Sequence, residues 1–127
     1  MRSTKIHTAA LAVVSGLVSS TAVQAQAATP AAPAAFNQCK ACHVVAAGQK
    51  PTIGPNLNKV YGAKAGKRPG YTYSAAMAAS GITWNAKTLD AFITAPQSAV
   101  KGTKMSFFGE KDPSKRAAII AYLQGLK

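Results

Sequence analysis

Acidic side chains are nearly missing from this 127-residue chain: Asp90, Glu110 and Asp112 stand against 15 Lys and Arg, a formal net charge of +12. Such an imbalance keeps a chain soluble and steers it towards acidic partners. Regular β patterning is also missing. No run alternates with period two and no βαβ arrangement is present, so a sheet is not expected. No apolar run is long enough for a comfortable membrane span, which excludes stable membrane insertion. Cysteine is scarce: Cys39 and Cys42 are the two present, and they stand three positions apart. A disulfide across so small a loop adds little stability, so the pair reads as chemistry rather than as a staple.

The first 27 residues carry an address. Arg2 and Lys5 precede an apolar stretch from His7 to Val18, and small residues follow, with Val-Gln-Ala at 23–25 and Ala-Gln-Ala at 25–27. A charged start, a short apolar run and an A-x-A site are the parts of a secretory signal peptide. Residues 1–25 are therefore expected to be the leader, with cleavage as late as 27. Residues 26–35 form a flexible lead-in with a helical turn after Pro33, and 36–127 form one domain. The mature chain keeps thirteen bases against three acids, a net charge of +10. Nucleic acid is the usual partner of so basic a protein. Export argues against it, as does the lack of a basic helix or of aromatic-basic interleaving. The expected compartment is the bacterial periplasm.

Glycine, proline, asparagine and lysine crowd the stretch from Val45 to Pro69, so it reads as turns and loops. Three helices are expected. Residues 74–79 start at Ser74, a candidate cap, and stop before Gly81. Residues 86–94 follow Asn85, with Leu89, Phe92 and Ile93 at helical spacing and Pro96 as the stop. Residues 113–126 follow Asp112 as N-cap and Pro113 at the first helical position, with an apolar stripe of Ile119, Ile120, Leu123 and Leu126. The fold class is all-α, with short helices and long ordered loops. At about 100 residues such a chain buries little apolar surface by itself. Long loops without structure of their own need something to wrap around. A large, flat, apolar cofactor would supply that core.

Cys39-Lys40-Ala41-Cys42-His43 is C-x-x-C-H, the attachment signature of a c-type haem. Two thiols add across the two haem vinyl groups, and one turn of chain presents both sulfurs to one ring edge. The His that follows can then place its imidazole under the iron. A C-x-x-C redox pair is the competing reading, but the βαβ context of thioredoxin-like proteins is missing. A zinc site would need four ligands, and Cys39, Cys42 and His43 are the obvious donors of the mature chain. His7 leaves with the leader, so a second His ligand to the iron is not available. Two methionines remain. Met77 sits in an Ala-rich helical turn and reads as packing. Met105 sits in the Gly-flanked, aromatic-rich loop 101–109, which can reach across a pocket, and is the favoured sixth ligand. His/Met ligation raises the haem potential.

The chain resembles the class I c-type cytochromes, the group of mitochondrial cytochrome c and bacterial cytochrome c2, from Phe36 to its C-terminus. The resemblance rests on Phe36-Asn37-Gln38, Gly54-Pro55-Asn56-Leu57, Gly70-Tyr71-Thr72-Tyr73, Gly81-Ile82-Thr83-Trp84, Gly102-Thr103-Lys104-Met105 and Ala121-Tyr122-Leu123, together with the haem motif. It implies a cytochrome c fold wrapped around one covalent haem. It further implies that the Pro55 carbonyl accepts from the His43 ring, that Tyr73 and Trp84 donate to a haem propionate, that Thr103 hydrogen-bonds near Met105, and that Phe107 packs over the haem. The C-terminal helix would cross the N-terminal one with Tyr122 and Ile119 near Phe36. The chain departs from the family where Pro30 and Pro33 shorten the first helix, where the glycine that lets the helices cross is replaced around Ala31, where Met77 and Phe92 replace polar residues, and where Ala63 replaces an arginine near a propionate.

The implied function is a monomeric one-electron carrier. Its donor would be an acidic redox protein such as a bc1 complex or a dehydrogenase, and its acceptor a terminal oxidase or a photosynthetic reaction centre. Lys50, Lys101, Lys104 and Lys111 would flank the exposed haem edge. The alternative is a peroxidase-like haem enzyme, which would need an open distal site and polar groups that the sequence does not supply. Because the cofactor is taken as the missing interior, the chain expressed where no haem can be attached should stay largely unstructured by far-ultraviolet circular dichroism; a colourless product that melts cooperatively would overturn that reading.

Overall fold

The computed structural model describes residues 29–126. The expected leader over 1–25, its cleavage site as late as 27, and residues 26–28 of the lead-in lie outside the described residues. A 3-10 helix at Ala34–Gln38 comes first, followed by α1 (Ala75–Ala79), α2 (Ala86–Thr94), α3 (Pro96–Ala99) and α4 (Pro113–Gly125). Extended backbone pairs at one isolated bridge, Lys64 with Thr83.

α1, α2 and α4 each start at a side chain that accepts from free backbone N–H groups. The Asp112 carboxylate accepts from the N–H groups of Ser114 and Lys115 at 2.8 and 3.3 Å, and Pro113 follows at the first helical position. Asn85 and Thr88 form a reciprocal capping box: Asn85 Oδ1 accepts from the Thr88 N–H at 3.0 Å, and Thr88 Oγ1 accepts from the Asn85 N–H at 2.9 Å. Ser74 Oγ accepts from the Met77 N–H at 3.1 Å and opens α1. The 3-10 helix begins after Pro33, with the Phe36 N–H on the Pro33 carbonyl at 2.9 Å. It therefore takes in Ala34 and Ala35, the last two residues expected in the lead-in. Pro96 stops α2, as expected, and then opens the further turn α3, because a proline without an N–H is well placed at the first helical position.

The apolar stripes decide the packing. Leu89, Phe92 and Ile93 of α2 and Ile119, Ile120 and Leu123 of α4 are buried together. Asp90 and Arg116 join the same two helices by an ion pair at 2.7 Å, and Arg116 also donates to the Glu110 and Lys111 carbonyls. The 3-10 helix lies on α4. Phe36 is fully buried and meets Tyr122 edge-on, with ring centroids 4.7 Å apart. A Cβ on Gly125 would stand 2.8 Å from Pro30 Cγ, so the end of α4 comes against the incoming chain only because residue 125 has no side chain.

From Cys39 to Tyr73 the backbone is held by single hydrogen bonds rather than by long elements. Gly62 donates to the Trp84 carbonyl at 2.7 Å, Trp84 to Ala63 at 2.9 Å and Ala65 to Ile82 at 2.8 Å. These three bonds strap the loop to the stretch ahead of α2 and bring Trp84 to the middle of the molecule.

Candidate haem site

Cys39 caps the C-terminus of the 3-10 helix, and the chain turns at once around its carbonyl. That carbonyl accepts from the Cys42 N–H at 3.1 Å and from the His43 N–H at 3.0 Å. One turn therefore carries two free, half-buried thiols and an imidazole. The turn is tied in place by its next carbonyl: Cys42 accepts from the Gly54 N–H at 2.7 Å and from the Thr52 hydroxyl at 2.8 Å.

That tie brings residues 54 and 55 against the imidazole. His43 Nδ1 donates to the Pro55 carbonyl at 2.8 Å, which leaves Nε2 as the lone-pair nitrogen. Gly54 lies flat on the ring, and a Cβ there would stand 2.5 Å from His43 Cε1. Burial holds the His43 pKa below its ordinary value, against the opposing pull of the Pro55 carbonyl, so the ring is neutral at neutral pH as a metal ligand must be. Burial, reinforced by Cys42 and Glu110, pushes the Cys39 thiol up to about 11, so its sulfur keeps its proton at neutral pH. Addition of a thiol across a vinyl group uses that S–H.

These groups form part of the wall of a cavity of about 310 Å³, within the range of cofactor pockets, roughly 300–1,000 Å³. All nine residues singled out from the sequence line it: Cys39, Cys42, His43, Pro55, Tyr73, Trp84, Thr103, Met105 and Phe107. Met105 is half-buried. Its N–H reaches Thr103 Oγ1 at 3.3 Å, and the Thr103 carbonyl is held by the Gln97 side chain at 2.8 Å. Trp84 is buried with its ring 5.1 Å from Phe92. Met77 also lines the cavity and is buried. Leu57, Val60, Leu89, Ile93, Ile119 and Leu123 supply an aliphatic part of the wall. Several of these had read as ordinary core from their spacing. The cavity lies inside the helix stripes, so one side chain serves both. The side chains lining the cavity include no acid.

Residues 30–127 match the family model for cytochrome c. The chain belongs to the cytochrome c family. Cytochrome c2 of Rhodomicrobium vannielii is 52% identical over 88 residues, 69% of this chain and 70% of that protein. Cytochrome c2 iso-2 of Magnetospirillum fulvum is 48% identical over 95 residues, 75% of this chain and 98% of that protein. The solved structure of cytochrome cH from Methylobacterium extorquens superposes with a TM-score of 0.67 at 46% identity, over 71% of this chain and 90% of that one. The chain is thus a cytochrome c2-like electron carrier with covalent haem c, not an enzyme, which sets aside the peroxidase alternative. No helix among the described residues is long and apolar enough to cross a membrane. The donor set fits the group: two thiols and a neutral imidazole on one turn, thioethers elsewhere in the wall, and an acid-free apolar interior.

Gly54 leaves no room for a side chain beside the imidazole. In the haem-loaded protein, Gly54→Ala should lower stability by about 1–3 kcal/mol through overpacking against His43, measured as a fall in the denaturant midpoint. An unchanged midpoint would mean that the ring can move aside without cost.

Proposed function

We propose that this cytochrome c carries single electrons in the periplasm, with its haem joined through Cys39 and Cys42 and its iron held between His43 and Met105. Bound there, haem supplies a reversible one-electron change. The chain keeps that change confined to the electron. The Pro55 carbonyl fixes the tautomer and angle of the His43 ring. Thr103 orders the loop that carries Met105. Tyr73 and Trp84 donate to a propionate, and Phe107 covers the cofactor near its exposed edge. With His43 and Met105 both committed to iron, no coordination position is left for a substrate.

One observation carries this reading. The C-x-x-C-H turn and Met105, more than sixty residues apart in sequence, line the same acid-free cavity. Two methionines line it, and Met105 is preferred because its loop is ordered by Thr103 and Gln97, whereas Met77 belongs to α1 and packs in the core.

Residues 1–25 act as the export leader and 36–127 as the carrier domain. The partners are acidic redox proteins: a bc1 complex or a dehydrogenase as donor, and a terminal oxidase or a photosynthetic reaction centre as acceptor. Lys50, Lys101 and Lys104 are exposed, as is Lys111, whose Nζ also donates to the Thr94 carbonyl. Charge of this kind raises the rate of encounter more than the strength of a small, transient interface.

Two outcomes check the proposal. Met105→Ala should abolish the weak red-end absorption band of the oxidised protein and lower its potential, while Met77→Ala leaves the band in place; loss of the band in Met77→Ala instead would reverse the assignment. Electron-transfer rates with acidic partners should fall as salt is raised through about 0.1 M, where the screening length is about 10 Å. A flat profile would remove lysine steering.

A further inference from the structure

Ala63 leaves a haem carboxylate without the arginine that the resemblance assigns to that position. A carboxylate brought into a low-dielectric wall needs a counter-charge or several donors. Lys64, Arg68 and Lys104 are the cationic side chains that line the cavity. Lys104 Nζ donates to the Thr72 carbonyl at 2.9 Å, and Lys64 is an exposed side chain. Arg68 is half-buried, and Arg68 Nη1 donates to the Lys59 carbonyl at 3.0 Å. Lys59 is itself fixed. Its backbone is left-handed, at φ +54°, and its N–H donates to the Leu126 carbonyl at 3.2 Å. The guanidinium is thus braced by one bond and retains further N–H groups of its planar fork.

We infer that Arg68, together with Tyr73 in the wall of the same cavity, forms a carboxylate-binding subsite that takes over in this chain the role of the arginine missing at Ala63. The inference deepens the proposed function, because it assumes covalent haem with Tyr73 near a propionate. Arg68 and Tyr73 line the same cavity. Burial pushes the Tyr73 phenol up, while the Arg68 charge and a hydrogen bond with the Arg68 backbone pull it down. The other titratable or charged groups lining the cavity are the Cys39 and Cys42 thiols, His43, Tyr71, Lys64 and Lys104. The thiols become thioethers, His43 is committed to Pro55, and the Tyr71 hydroxyl donates to the Ile53 carbonyl at 3.1 Å. Arg68 is therefore a positioning residue. It keeps a propionate ionised, so that taking up an electron does not also take up a proton.

The test is the midpoint potential of the haem-loaded protein followed from pH 5 to 9. An opposite charge close by lowers a carboxyl pKa by about 1–3 units, so its loss raises the pKa by as much. In Arg68→Ala the segment where potential falls with rising pH should move up by about 1–3 pH units. Arg68→Lys should restore part of the parent profile. Lys87→Ala, which removes an exposed charge on α2, should leave it unchanged. Coincident profiles for the parent and Arg68→Ala would overturn the subsite, as would an equal displacement in Lys87→Ala. Covalent haem and the red-end band are recorded on the parent first. A failure of the ligation reading appears there, with Arg68 still present, whereas a failure of the subsite appears only in the variant profiles.

Discussion

The bond from His43 Nδ1 to the Pro55 carbonyl, closed over by Gly54, is the constraint on which the rest of the site depends. It fixes which nitrogen faces a metal and at what angle. It can form only because the Cys42 carbonyl holds Gly54 and Thr52, so that the attachment turn and the loop after it become one unit. Everything on the thiol side of the cavity is referred to this unit. A side chain at residue 54 would press on the ring, so a steric requirement falls beside the imidazole, in a loop rather than within a helix.

Around that unit the protein solves a shortage of apolar surface. Among the described residues the helices are short, with α4 at 13 residues the longest. Their buried stripes meet one another on one side and line the cavity on the other. Ile119, Leu123, Leu89 and Ile93 serve both purposes. A flat cofactor placed there would pack against these same side chains, which would tie folding to its attachment. The lack of acids in the cavity wall belongs to this economy. The positive charges at the wall, Arg68 and Lys104 among them, meet backbone carbonyls rather than acids there.

The surface carries a different part of the function. The acids sit together: Asp90 is paired with Arg116, and Glu110 accepts from Gln38 and from the Asp112 N–H. The other charged side chains of the described surface are mostly lysine, and charge of one sign raises the rate of encounter with a partner of the opposite sign.

Much of this was legible in the residues in order. The C-x-x-C-H turn, the capping residues Ser74, Asn85 and Asp112, and the stripes of α2 and α4 are local features, and local patterns dictate local structure. Other features depend on segments far apart in the chain, and sequence spacing carries no information about such meetings. The closure at Gly125 against Pro30 and the tie of the Lys59 N–H to the Leu126 carbonyl are of this kind. The sequence by itself determined that two thiols and an imidazole share one turn, because five consecutive residues suffice for that. Only the tertiary structure decided which side chains complete the cavity around them, because those come from loops and helices whose positions are set by burial and not by neighbours along the chain.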